Sequence, residues 1–275
     1  MTSLPPFLLN DGTTLPAVGF GTWRVRGDEA VAQVRSALDA GYRLIDTAAS
    51  YGNEAEVGRA VTGTDVPRSE IAVASKLRGA DQGYDATLRG FEATRTALGL
   101  EYLDLYLIHW PLPRLGKFVE SWKALVRLRE DGLIRTVGVS NFTAAHLDRL
   151  IDETGEVPAV NQIELHPGFV QEDMRAANAD RGILTQSWGP LGRGKGLLER
   201  PEIARIAAAR GVSPAQAVLR WHHQLGVQPL PKSADPARQQ ENLDLTGFSL
   251  TDEEMARIAS VPQERLGGDP DTHEE

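Results

Sequence analysis

A chain of 275 residues with 41% hydrophobic and 24% charged side chains is long enough for two ordinary domains or one α/β barrel, and its composition is that of an average globular protein. The formal net charge of −9 argues against a nucleic-acid surface, which needs concentrated positive charge to displace counterions. The absence of cysteine excludes disulfides, thiolate nucleophiles and cysteine zinc sites, and no apolar run approaches the roughly 20 residues that span a bilayer.

MTSLPPFLLNDG at the amino terminus lacks the basic region and apolar core of a signal peptide, and no Gly/Ser-rich or Pro-rich linker interrupts the chain. These features lead us to expect one domain over residues 1–275, in the cytoplasm and as a monomer. Asn10-Asp11-Gly12 between Phe7–Leu9 and Thr13–Leu15 predicts a hairpin, because Asp-Gly accepts the positive φ of a tight turn. Val18–Gly21 then predicts a strand, and Val31, Val34 and Leu38 give a helical stripe that Gly41 ends. Strand-like Arg43–Asp46 follows, with Asn53 and Glu56 spaced as a capping box for the next helix.

The same unit recurs. Strand-like runs at Ile71–Ser75, Leu103–Ile108, Ile134–Val139, Ala159–Ile163, Ile183–Gln186 and Val227–Leu230 are separated by helical stretches. Ser213-Pro214-Ala215-Gln216 opens one helix with proline at its first position and a capping-box glutamine, and Thr251 and Glu254 cap another. Eight strands alternating with helices imply parallel pairing, and in one domain of this length they favour a (β/α)8 TIM barrel with an N-terminal β-hairpin and extra helices. An open doubly wound sheet is the rival. Its dinucleotide fingerprint is missing, since Gly19-Phe20-Gly21-Thr22-Trp23 does not have that spacing.

Barrel chemistry is built at the carboxyl ends of the strands. There the sequence places Asp46, Lys76, His109, Asn141, Gln162, Trp188 and Lys232, with Tyr51 on the loop after Asp46. Lysine, histidine and tryptophan in such slots are not explained by turn chemistry. Strands about 4.8 Å apart would bring Asp46, Tyr51, Lys76 and His109 within reach of one another. Such a set can protonate an oxygen on which negative charge develops: the aspartate pairs the lysine, the ammonium favours the phenolate, and the histidine offers a hydrogen bond. Each residue also has a structural alternative, a buried ion pair for Asp46 and Lys76, a packed aromatic for Tyr51 and a core histidine for His109.

GYRLIDTAASYGNE, ASKL, LYLIHWP, GVSNF, NQIELHP and LPKS, in this order at successive strand ends, resemble the aldo-keto reductase family over nearly the whole chain. The similarity is greatest to its short bacterial members typified by 2,5-diketo-D-gluconic acid reductases, QSWGPLG carrying tryptophan and glycine where many relatives have tyrosine and serine. The resemblance implies reduction of small aldehydes and ketones, keto-sugar acids among them, with NADPH held across the barrel mouth. It implies a catalytic tetrad of Tyr51 as general acid, Lys76, Asp46 and His109. It assigns Thr22, Asp46, Ser140, Asn141, Gln162, Trp188, Gly189 and Leu191 to the cofactor, with Lys232, Ser233 and Arg238 at the 2′-phosphate and Glu241 and Asn242 near adenine. Trp23, Tyr51, His109 and Trp110 match substrate-side positions.

Arg78 departs from the family pattern, standing in ASKLRG where relatives often have tryptophan. It is either an anchor for a substrate carboxylate or a solvent-facing arginine. Short loops after His109 and Trp188 and a short tail, RLGGDPDTHEE, predict a shallow site with broad selectivity. Two other functions stay open at this point. A non-catalytic NADPH-binding regulatory or structural barrel would lack activity, and a metal-dependent hydrolase would need ligands beyond His109, Asp46 and His166; no metal is expected.

Overall fold

The computed structural model describes residues 4–274; the first three residues of the segment read for a signal peptide, and Glu275 at the end of the tail, lie outside the described residues. Strands β1 (Phe7–Leu8) and β2 (Thr14–Leu15) form the antiparallel hairpin. Eight parallel strands follow: β3 (Phe20–Gly21), β4 (Leu44–Asp46), β5 (Ala72–Leu77), β6 (Leu103–Ile108), β7 (Ile134–Ser140), β8 (Val160–Glu164), β9 (Leu184–Trp188) and β10 (Gln228–Leu230). They are ordered as in the sequence, and backbone bonds from Gly19 to Pro229 (3.1 Å) and from Gly21 to Pro231 (3.0 Å) join the first strand to the last. Gly19 lies tight against that closure: a Cβ there would lie 2.5 Å from Leu230 Cδ2, and the Leu230 and Leu44 side chains would have to shift.

Helices wrap the outside and bury their apolar faces against the strands. Phe91, Phe118, Trp122, Leu125 and Leu147 join Tyr106, Ile108, Val137 and Val139 in the largest core cluster. A second apolar cluster fills the barrel lumen at the hairpin end, where Leu9 and Leu15 meet Leu44, Leu107, Val160 and Leu230. The hairpin thus plugs the amino-terminal mouth and leaves the opposite mouth for polar chemistry.

The capping boxes predicted at Ser213 and Thr251 are both present. The one predicted at Asn53 is not. The helix Glu54–Thr62 does start there, but the Asn53 side chain makes no cap bond. It is completely buried, accepts from Thr47 Oγ1 (2.7 Å) and donates to the carbonyls of Thr22 and Val25 (both 2.9 Å). Two buried backbone carbonyls need donors, and the Asn53 amide supplies them, so Asn53 ties the loop after β4 to the loop after β3.

One buried histidine makes the fold sensitive to acid. His222 in the helix Pro214–Gln224 is 0% exposed, with Nδ1 2.8 Å from the Val218 carbonyl. Burial pushes its pKa from 6.5 down to about 4, although the Val218 and Leu165 carbonyls favour the charged ring. The folded state therefore binds fewer protons than the unfolded state, and stability complete above about pH 6.5 is lost as the pH falls towards 4. The shift corresponds to roughly 3 kcal/mol. Urea midpoints measured across this window are expected to fall steeply in the native protein and less steeply in His222→Gln; equal slopes would remove His222 as the cause.

Candidate active site

The strand register decides which side chains meet. Asp46 on β4 lies opposite Ala74 on β5, and Lys76 is two residues beyond Ala74, so the period of two puts Asp46 and Lys76 on the same inward face. Lys76 Nζ donates to Asp46 Oδ1 (2.9 Å) and Oδ2 (2.7 Å) and to the Thr47 carbonyl (2.8 Å). Both residues are buried, Lys76 at 0% and Asp46 at 4% exposure. Burial opposes the lysine charge, yet the Asp46 carboxylate, and Tyr51 with it, outweigh burial and hold the Lys76 pKa above its usual value. Lys76 is a cation at any physiological pH.

Tyr51 ends a short 3-10 turn, Ala49–Tyr51, that Gly52 closes in the left-handed region. This places its ring 5.1 Å from Lys76 Nζ and 5.9 Å, edge to face, from the His109 ring. His109 follows β6, its N–H bound to the Leu77 carbonyl (3.1 Å) and its Nδ1 3.2 Å from Ser50 Oγ. Asp46, Tyr51, Lys76 and His109 therefore converge as the strand-end argument predicted.

Three of these four, with Trp23, Trp110 and Trp188 beside them, line a cavity of about 620 Å³, while Lys76 sits beneath its floor. Ser140, Asn141, Gln162, Gly189, Leu191 and Lys232 also line it. Asn141 is in the left-handed region (φ 62°), uncommon outside glycine. Its amide makes that conformation hold: Nδ2 donates to the His109 carbonyl (3.0 Å) and Ser140 Oγ (3.1 Å), and Oδ1 accepts from Trp188 Nε1 (2.8 Å). The Trp188 indole is thereby fixed as a wall of the cavity.

Other expected residues stand elsewhere. Thr22 is fully buried, its hydroxyl bound to the Asp46 carbonyl (3.0 Å). Ser233, Arg238, Glu241 and Asn242 lie outside the cavity lining, on the loop and helix after β10. Asn242 is buried at 3% exposure, and Arg238 is exposed with Nε 3.8 Å from Asp235. Arg78 is half-exposed and paired with Asp81 at 2.7 Å, and it does not line the cavity. His166 donates or accepts at 3.0 Å with Glu164, and no cluster of three metal-ligating side chains occurs among the described residues.

Two features escaped sequence reasoning. The first is a polar layer inside the barrel. Gln162, Gln186 and Gln228 are in register on β8, β9 and β10, all at most 1% exposed. Gln162 Nε2 donates to Asp46 Oδ1 (2.9 Å) and Gln186 Oε1 (3.0 Å), Gln186 donates to Gln228 Oε1 (2.6 Å), and Gln228 to the Pro16 carbonyl. Through Gln162 the chain of amides gives Asp46 a second side-chain donor and holds its carboxylate in place. Three glutamines at matching strand positions were the available signal.

The second is the carboxy-terminal tail. Glu164 accepts from the backbone N–H of Leu266 (2.6 Å) and Gly267 (2.8 Å), and these with His166 outweigh burial and keep its pKa low. A Cβ at Gly267 would lie 2.4 Å from Trp188 Cη2, so only glycine lets the tail approach that indole. Further on, His273 stacks on Trp110 with ring centres 3.9 Å apart. Gly267, Gly268 and His273 form part of the cavity wall. The short tail thus supplies part of the wall, and the cavity volume is ordinary for a small-molecule pocket.

A family model described as Aldo/keto reductase family matches residues 17–263. The chain belongs to the aldo-keto reductase family. It is 49% identical to 2,5-diketo-D-gluconic acid reductase B of a Corynebacterium species, over the full length of both chains. It is 51% identical to an aldo-keto reductase of Mycolicibacterium smegmatis, covering 98% of each. Among solved structures, Gox0644 in its apo form and as a point mutant in complex with NADPH each superpose with a TM-score of 0.95 at 43% identity, covering 100% of both chains. This aldo-keto reductase is thus an oxidoreductase by family, with the (β/α)8 fold of its relatives.

Proposed function

We propose that this aldo-keto reductase reduces small aldehydes and ketones to alcohols with NADPH, as a cytoplasmic monomer, with Tyr51 as the general acid. The observation that carries this is the buried Lys76 ammonium, bound to Asp46 at 2.7 Å and 5.1 Å from the Tyr51 ring. An ammonium so placed stabilises the phenolate left when Tyr51 gives up its proton, and His109 beside it supplies a second polar group for the substrate oxygen.

The donor set fits a nicotinamide cofactor. Ser140, Asn141 and Gln162 give the cavity a polar lining, the fixed Trp188 indole offers a flat face, and Lys232 offers charge. When bound, the cofactor supplies the hydride. Around it the protein's task is to orient the carbonyl against His109 and Tyr51, exclude water with Trp23, Trp110 and the tail, and deliver one proton from the Tyr51 hydroxyl.

The experiment is loss of 340 nm absorbance when a small carbonyl compound is added to protein and NADPH; no loss with any member of a broad carbonyl panel would overturn the assignment. Cofactor choice is tested at Arg238, whose exposed guanidinium is only loosely held by Asp235. A charge-assisted bond is worth about 1.5–3 kcal/mol, so Arg238→Ala should weaken NADPH at least about tenfold in a fluorescence titration and leave NADH almost unchanged. Equal losses would mean that Arg238 supports the loop and does not read the 2′-phosphate.

A further inference from the structure

Arg193 is the unusual cation of the cavity. It lies in a glycine-rich turn, Gly192–Gly194, in the left-handed region at φ 51°, a conformation glycine adopts more cheaply. Its guanidinium lies over Trp23, 3.9 Å from the ring centre, and 5.4 Å from Trp188. Arg24, also left-handed (φ 64°), lies over the same Trp23 ring at 4.2 Å. Among the described residues neither arginine is in a salt bridge, and Glu164 acts on Arg193 only through its field. Glu164 is already engaged, Oε1 by Leu266 and His166 and Oε2 by Gly267, and it makes no salt bridge to Arg193.

Stacking on an indole holds a guanidinium by its face and leaves its N–H edge open. Among the described residues of the cavity lining, the sole carboxylate is Asp46, and Lys76 and Gln162 already hold it. The wall near Tyr51 is therefore cationic in a chain whose net charge is −9. Half-burial pulls the Arg193 pKa below the usual arginine value, Glu164 opposing and Arg24 reinforcing the shift, with Tyr51 also within electrostatic range. A half-desolvated arginine near the proton donor gains most from an anion brought in with the reacting carbonyl.

We propose that Arg193, assisted by Arg24, is a specificity site for the carboxylate of a keto-acid substrate. The proposal rests on the carbonyl-reductase reading given above. It moves the anion anchor from Arg78, which Asp81 occupies, to the turn after β9. Binding places the substrate's carboxylate against the guanidinium edge and its carbonyl towards Tyr51 and His109, so acids are preferred to neutral analogues of the same size.

The test compares 2-oxobutanoate with its methyl ester in wild type, Arg193→Gln and Arg24→Gln. The mutation-induced change in the acid-to-ester ratio of kcat/KM cancels the intrinsic reactivity of the two carbonyls. Arg193→Gln is expected to lower that ratio at least about tenfold, or 1.4 kcal/mol, with a smaller fall in Arg24→Gln and NADPH affinity retained. Quenching of tryptophan fluorescence by 2-oxobutanoate without turnover should weaken in parallel, because Trp23 and Trp188 carry the guanidinium. A ratio and a quench both unchanged by Arg193→Gln would overturn the proposal. Equal loss for acid and ester, with weakened NADPH binding, would overturn it in favour of a cofactor-phosphate contact. Wild-type turnover of the ester separately tests the reductase reading, and the quench reads the anion site whether or not turnover occurs.

Discussion

Tyr51→Phe is expected to remove nearly all carbonyl reduction while NADPH still binds. The phenylalanine ring keeps the edge-to-face contact with His109 and the place above Lys76, so the substitution deletes only the hydroxyl. General acid catalysis contributes about 10²–10⁴ in rate, and the loss should be at least of that order. Single-turnover measurement at saturating NADPH isolates the chemical step. Retention of half the wild-type rate there would end Tyr51's candidacy as proton donor.

Lys76→Met is expected to cost both activity and stability, for separable reasons. Activity falls because the phenolate loses the cation beside it. Stability falls because Asp46, at 4% exposure, is left a buried carboxylate with the Gln162 amide as its remaining side-chain donor. Breaking a buried pair by removing one partner costs about 3–5 kcal/mol. Lys76→Met with Asp46→Asn should recover much of the lost stability and none of the activity. If the double variant regained turnover, or if Lys76→Met melted like wild type at neutral pH, the buried pair would not have the role its geometry gives it.

The polar residues at strand ends were legible because the strands themselves were. A strand-like run that stops at Asp46, Lys76 or His109 states where a barrel strand opens into the cavity, and the order of the strands follows from the alternation with helices. The amide chain behind Asp46 was not legible in this way. Gln162 and Asp46 are 116 residues apart, and only closure of the barrel brings β8 across from β4. Arg78, singled out because it departs from the family pattern, was open to two readings, a substrate anchor or a solvent-facing arginine, and in the structure Asp81 three residues on pairs with it outside the cavity lining. Proximity along the chain competes with proximity across the cavity, and a nearby carboxylate at short range wins.

By itself the sequence determined the eight-unit β/α repeat, the hairpin before it, the capped helix starts at Ser213 and Thr251, and the four convergent residues of the candidate catalytic centre. These follow from local rules: hydrophobic period, turn residues, side-chain capping, and the fixed polarity of parallel strands. Only the tertiary structure decided that Asn53 clamps two loops instead of capping a helix, that three glutamines steady Asp46, that Arg193 and Arg24 gather on Trp23, and that Gly267 and His273 close one wall. Each of those depends on which buried donor or acceptor is left unsatisfied after distant segments meet, and sequence spacing carries no record of that meeting.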